Sequence, residues 1–176
     1  MGSKKQTKLY NLIFPIWLLW LFPLTWIVIF PANFLIDLTV VVVTLKVLKV
    51  NQIKEIAKKV IFKVWIFGFI SDFIGTLAMF SVNFVDMAIE NKSPLGEWWY
   101  KYLTNAVTYN PFENIYAVLW VSVCILIAGY FIYLFNYKVS FRKVDLDEAI
   151  KKKLALSLAV FTAPYLFYLP TSLFFY

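Results

Sequence analysis

Four polar side chains recur on one side of an otherwise apolar stretch, residues 63–89: Asp72, Thr76, Asn83 and Asp86. Placed at about 100° per residue, they fall with Gly68, Met79 and Glu90 within about 40° of Asp72. Ile66, Phe69, Ile70, Phe73, Leu77, Phe80, Val82 and Phe84 take the opposite side. The stretch is long enough to cross a bilayer. An ionised carboxylate in hydrocarbon costs about 3 kcal/mol by insertion scales, so the stripe must face protein or water. Asp72 lies about 13 Å along the helix from Lys63 at 1.5 Å per residue, well below the interface.

Such a stripe suits the binding of a cation, a proton or a small polar solute. Its structural counterpart is a tie, in which Asp72 pairs with Lys46 or accepts a hydrogen bond from Thr162 or Tyr165. Asp37 stands where the dipole of a second helix favours an anion. If Asp37 and Asp86 converge with Asn33 and Asn83, they form an oxygen-rich vestibule at the outer ends of their helices. None of these residues has metal-ligand spacing, and no metal site is expected. Gly68, Ser71 and Gly75 make a small-residue seam beside the stripe, suited to close helix packing.

Other chemistry is excluded by what the chain lacks. It has no histidine, the commonest general base and metal ligand. Its one cysteine, Cys124, sits in an apolar run, so no intrachain disulfide forms. There is no zinc-type cluster and no phosphate-cradling glycine loop. The protein is therefore expected to be no enzyme and to carry no cofactor. The net charge is +7, but the lysines lie between apolar blocks rather than on a basic face. That distribution predicts contact with anionic lipid head groups and no nucleic-acid partner.

The elements that position the stripe follow from composition and periodicity. Of 176 residues, 62% are hydrophobic and 20% aromatic, against about 45–50% apolar in a soluble domain. The excess is gathered in blocks. The sequence predicts an all-α integral membrane protein, one domain over 1–176, with five transmembrane helices at about 9–30, 34–49, 63–89, 111–137 and 154–175. Pro31, Ala32 and Asn33 form the turn between the first two, with Asn33 as N-cap. Residues 51–59 form a surface helix leading into the third span. Ser93 and Pro94 start a short amphipathic helix in the outer loop. Its Leu95, Trp98, Trp99, Tyr102 and Ala106 share a face, as interfacial residues or as a lid over the stripe, and Glu97 pairs with Lys101. Asn110, Pro111 and Glu113 start the fourth span. Asp145 or Asp147 caps the fifth, kinked near Pro164 and Pro170.

This arrangement puts the N-terminus inside and the C-terminus outside. All of the 17 Lys and Arg residues except Lys92 and Lys101 then lie inside, as the positive-inside rule demands. The expected setting is a multi-pass protein of a bacterial-type cytoplasmic cell membrane. The expected function is a transport or channel-like module, with Asp72, Asp86, Asn83, Thr76 and Asp37 as the ion-binding set. The alternative is a non-catalytic membrane subunit or scaffold, whose stripe a partner protein or a homo-oligomer covers.

Overall fold

Helix α1, Pro23–Val47, passes through Pro31 without ending. The turn expected at Pro31 to Asn33 is absent, and Asn33 caps nothing. Proline deletes one backbone donor, whereas a turn among apolar neighbours would strand several backbone groups. Aromatic packing holds this part of the helix. The Trp65 indole donates to the Phe30 carbonyl at 3.1 Å, and Phe30 meets Trp26, Trp65 and Phe69 ring to ring. The computed structural model describes residues 23–89 and 93–171. The start of the predicted first span with Lys4, Lys5 and Lys8, the loop residues Glu90 and Lys92, and residues 172–175 lie outside the described residues.

A tight link joins α1 to α2. The Lys49 N–H reaches back to the Lys46 carbonyl at 3.0 Å and the Val50 N–H to the Leu45 carbonyl at 3.0 Å. With Lys49 left-handed at φ 54°, this is the double-bonded helix stop usually closed by glycine. Helix α2, Ile53–Ala88, is one unbroken helix of 36 residues, so the surface helix and third span are continuous as expected. Its exposed face carries Ile66, Ile70, Phe73, Leu77 and Phe84, and its buried face Val60, Val64, Gly75, Thr76 and Met79. Val82, assigned from periodicity to the outer face, is buried.

Helices α3, Pro94–Trp99, and α4, Ala106–Tyr109, are joined by a wider π-helical turn, Tyr100–Asn105. The Ser93 hydroxyl accepts from the Gly96 N–H at 3.0 Å, the expected cap. Glu97 and Lys101 do not pair. Among the described residues the one ion pair is Lys151 with Glu148, and the Lys101 ammonium lies over the Tyr102 ring. Asn110 caps only a 3-10 turn, Pro111–Glu113. Helix α5, Ile115–Phe135, begins one turn later, where Asn114 Oδ1 accepts from the Ala117 N–H at 3.0 Å. A π-helical turn, Asn136–Ser140, extends it.

Among the described residues three helical stretches are long and apolar enough to cross a membrane: Trp26–Val47, Ile53–Ala88 and Ile115–Ser140. The predicted fifth span is not a fourth such helix. Helix α6, Glu148–Phe161, has 14 residues, about 21 Å against a hydrocarbon core of about 30 Å. Asp147 holds its N-cap position without a side-chain bond. After Phe161 the chain breaks at Thr162 to Pro164 and resumes as a 3-10 turn, Tyr165–Tyr168. The segment still follows α5 to its far end. Tyr168 meets Ser122 at 2.7 Å, and the Thr171 hydroxyl donates to the Thr108 carbonyl at 3.1 Å.

Where lipid is as apolar as the side chains, helices associate through close fit. Gly75 of α2 supplies it against α5: a Cβ there would lie 2.9 Å from the Ala128 Cβ and 3.1 Å from Phe167. Two buried clusters result. One holds Met79, Val82, Val107, Val121 and Phe167 at the Trp99 end. The other holds Val41, Leu45, Val60, Val64, Ile132 and Leu158 at the lysine-rich end.

Candidate functional site

Asp37 is the one acidic residue buried in the body of the molecule, at 6% exposure among the described residues. It stands at the middle of the stretch Trp26–Val47, not in the first turn of a helix, because α1 did not restart at Asn33. Neither end of α1 is close enough for its dipole to favour the charge. Its Oδ2 lies 3.5 Å from the point a Cβ on Gly68 would occupy. Asp72 follows Gly68 by one helical turn, and side chains on a helix lean toward its N-terminus. The Asp72 carboxyl therefore leans over the bare patch at Gly68 that Asp37 faces from α1.

The two carboxyls lie within electrostatic reach of each other. Asp72 is half-buried, and its Oδ1 is shut off from solvent with no hydrogen-bond partner. No hydrogen bond or ion pair reaches the Asp37 side chain among the described residues. An ionised carboxyl can only accept, so neither acid can satisfy the other while both are charged. The aromatic side chains Phe34, Trp65 and Phe69 pack together one turn before Asp37, Gly68 and Asp72, respectively.

None of the three expected partners of Asp72 reaches it. Lys46 is exposed. It sits nine positions beyond Asp37 along α1, about 13 Å away at helical rise, at the lysine-rich end. The Thr162 hydroxyl donates to the Leu158 carbonyl at 2.9 Å, and the Tyr165 hydroxyl to the Val160 carbonyl at 2.6 Å. The Tyr165 hydroxyl serves a carbonyl left without a helical donor, because the residue four positions on is Pro164, whereas the Leu158 carbonyl already takes the Thr162 N–H at 2.8 Å and the Thr162 hydroxyl only adds a back-bond to it.

Of the rest of the stripe Thr76 faces protein, Asn83 and Asp86 are half-buried, and the polar residues do not converge. Thr76 is buried and donates to the Asp72 backbone carbonyl at 2.9 Å. Asn83 turns back to the Phe80 carbonyl at 3.4 Å. The vestibule of Asp37, Asp86, Asn33 and Asn83 does not form. Asp86 stands about 27 Å along α2 from Gly68, at 1.5 Å per residue, and Asp37 is at the level of Gly68. Among the described residues no three His, Cys, Asp or Glu side chains cluster as a metal site.

Trp98, Trp99 and Tyr102 are held against the rest of the bundle. The Trp99 indole donates to the Val82 carbonyl at 3.0 Å, and Trp98 meets Tyr116 edge to face and Tyr102 at a tilt. Thr104 also reaches the Val82 carbonyl, at 3.5 Å. The α3–α4 segment is thus fastened across α2 and α5 at the Asn83 end of the stripe.

Two arrangements were not foreseen in the sequence. Gly68 faces the Asp37 carboxyl, while Ser71 and Gly75 of the expected seam are buried. Tyr137, Glu148 and Lys151 form a bonded cluster at the lysine-rich end, signalled only by the i, i+3 spacing of Glu148 and Lys151. Compared with protein-family models, curated proteins and solved structures, the chain matches none.

Proposed function

We propose that this is a small transport or channel-like protein of the cell membrane, in which Asp37 and Asp72 together hold a cation or a proton. One observation carries the proposal: two acids from different helices stand at mid-helix depth beside Gly68, and among the described residues the Asp37 side chain and Asp72 Oδ1 have no hydrogen-bond partner. Acids at that depth require a counter-charge. A proton or a monovalent cation between them supplies it and can leave again, whereas a lysine tie could not. The protein works without covalent chemistry and without a cofactor.

The orientation follows from the basic residues. With the stretches 46–63 and 138–153 inside a bacterial-type cytoplasmic membrane, α1 runs inward, α2 outward and α5 inward. The segment 148–171 then returns outward as a broken crossing. Broken crossings are tolerated where protein covers the freed backbone, and the Tyr165 bond to the Val160 carbonyl supports that reading. The α3–α4 segment lies outside, over the end of the stripe.

The test is flux through the purified protein in sealed vesicles, read with cation- and proton-sensitive dyes. Wild type conducts, and Asp37→Asn and Asp72→Asn each abolish flux while eluting as folded protein. Undiminished flux in both variants, or none in wild type under any cation gradient, refutes the proposal.

A further inference from the structure

At the lysine-rich end, the π-helical turn after α5, the loop that follows it and the first turn of α6 enclose a shallow groove of about 330 Å³, lined by Tyr137, Lys138, Arg142, Glu148 and Lys151. Three of its five walls are cationic. The single acid is already engaged on both oxygens: Glu148 Oε2 accepts from the Tyr137 hydroxyl at 3.0 Å and Oε1 from the Lys151 ammonium at 3.0 Å. The Lys151 side chain is only 12% exposed, so its charge is held in place rather than waving in solvent. Lys138 and Lys152 hold their ammonium groups 5.2 Å and 5.9 Å from the centre of the Tyr137 ring. Cations stacked on an aromatic face are positioned without being neutralised. The groove therefore presents several ordered donors and a surplus of positive charge, the chemistry that recognises a phosphate ester.

Its position names the source of that ester. The groove closes the end of Ile115–Ser140, a stretch long enough to cross a membrane, which puts it where head groups lie. Tyr133 stacks on Tyr137 at 5.8 Å, so an aromatic ladder leads from the groove down α5 toward the apolar zone. Val139 beside it is exposed. We infer that this groove is a binding site for one anionic phospholipid, with its phosphate among Lys138, Arg142 and Lys151 and its glycerol end along Tyr137 and Tyr133. The inference rests on α5 as a membrane crossing and is independent of the acid pair on α1 and α2.

The experiment titrates phosphatidylglycerol into the full-length protein in neutral detergent and counts bound lipid by native mass spectrometry. Phosphatidylcholine and inorganic phosphate are the comparison probes. One phosphatidylglycerol binds in preference to phosphatidylcholine. Lys138→Gln and Arg142→Gln, both exposed, each weaken it about fivefold, the factor equivalent to about 1 kcal/mol per basic residue at an anionic surface. Lys54→Gln, an equal loss of charge elsewhere at the same end, leaves it unchanged. Glu148→Gln frees the Lys151 charge and tightens binding. Equal weakening by Lys54→Gln overturns the site in favour of diffuse attraction. Displacement of the lipid by an equal concentration of inorganic phosphate overturns the lipid as occupant, and weakened binding in Glu148→Gln overturns the assigned role of Lys151.

Discussion

Asp37 of α1 faces Gly68 of α2 across a gap that a methyl group would just fill. At 3.5 Å from the Asp37 carboxyl, an alanine Cβ at position 68 makes ordinary contact. The pocket is thus defined by a missing side chain on one helix and an acid on the other.

That geometry predicts opposite outcomes for two glycines on one helix. Alanine is favoured over glycine inside a helix by about 1 kcal/mol. Gly68→Ala therefore retains or raises stability by up to about that amount. Gly75→Ala drives a methyl to 2.9 Å from the Ala128 Cβ and 3.1 Å from Phe167, and overpacking of this kind costs about 1–3 kcal/mol. Thermal unfolding of the two variants in the same detergent checks the ordering.

The acid pair makes a second prediction through non-additivity. If Asp37 and Asp72 oppose each other's charge, replacing either one with asparagine relieves the other. Each single substitution then stabilises the fold, and the double variant gains less than the sum. Residues in direct contact couple by about 0.5–3 kcal/mol. Lys46→Met, by contrast, leaves both acids unaffected, because Lys46 is exposed at the far end of α1. Denaturant or thermal titration of the four-member cycle reads the coupling, and strict additivity would show that the two carboxyls do not interact.

The faces of α2 were legible because a helix turns a sequence period into a direction. Ile66, Ile70, Phe73, Leu77 and Phe84 point outward, and Thr76 and Met79 inward, as their spacing requires. Ser93 and Pro94 were legible as a start because a cap is a local bond. Pro31 and Asn33 misled for the same reason: their turn chemistry is local, while the demand for satisfied backbone inside an apolar layer is not. Once α1 runs on, Asp37 moves from a helix end to mid-helix, and its meeting with Asp72 depends on the register of two helices. Register is a product of packing, and no residue spacing within α2 encodes it. Likewise Thr162 and Tyr165 were assigned to Asp72, although Pro164 leaves the Val160 carbonyl without its helical donor and a threonine on a helix can bond the carbonyl four residues back, both needs met within the segment itself.

A third prediction concerns how the α3–α4 segment is held. Its indole bond from Trp99 to the Val82 carbonyl crosses between elements, and Thr104 offers that carbonyl only a longer contact of 3.5 Å. Trp99→Phe keeps the ring packing and removes the donor, at a cost of about 1 kcal/mol. The loss falls on the local opening of residues 94–109, not on the body of the bundle. Hydrogen exchange should speed up in that segment while α5 stays protected. Uniform acceleration would mean that the segment does not open as a unit.

The fourth prediction uses pH. The hydrogen bond from Lys151, joined by that from the Tyr137 hydroxyl, holds the Glu148 carboxyl below the ordinary glutamate range. A carboxyl depressed in the folded state contributes stability that is fully present above its unfolded value and is lost as pH falls through the folded one. Wild type therefore exceeds Glu148→Gln in thermal stability at neutral pH, by a small margin because Glu148 is exposed and screened. The margin closes in acid, below the ordinary glutamate range, where the wild-type residue becomes neutral as well. Unfolding midpoints of the two proteins across that range measure it. Glu148→Gln is also the variant expected to tighten the binding of phosphatidylglycerol, so one substitution should weaken the fold and strengthen the groove. A purely structural role for Glu148 moves both in the same direction. Opposite signs require that the carboxylate be holding down the charge of Lys151.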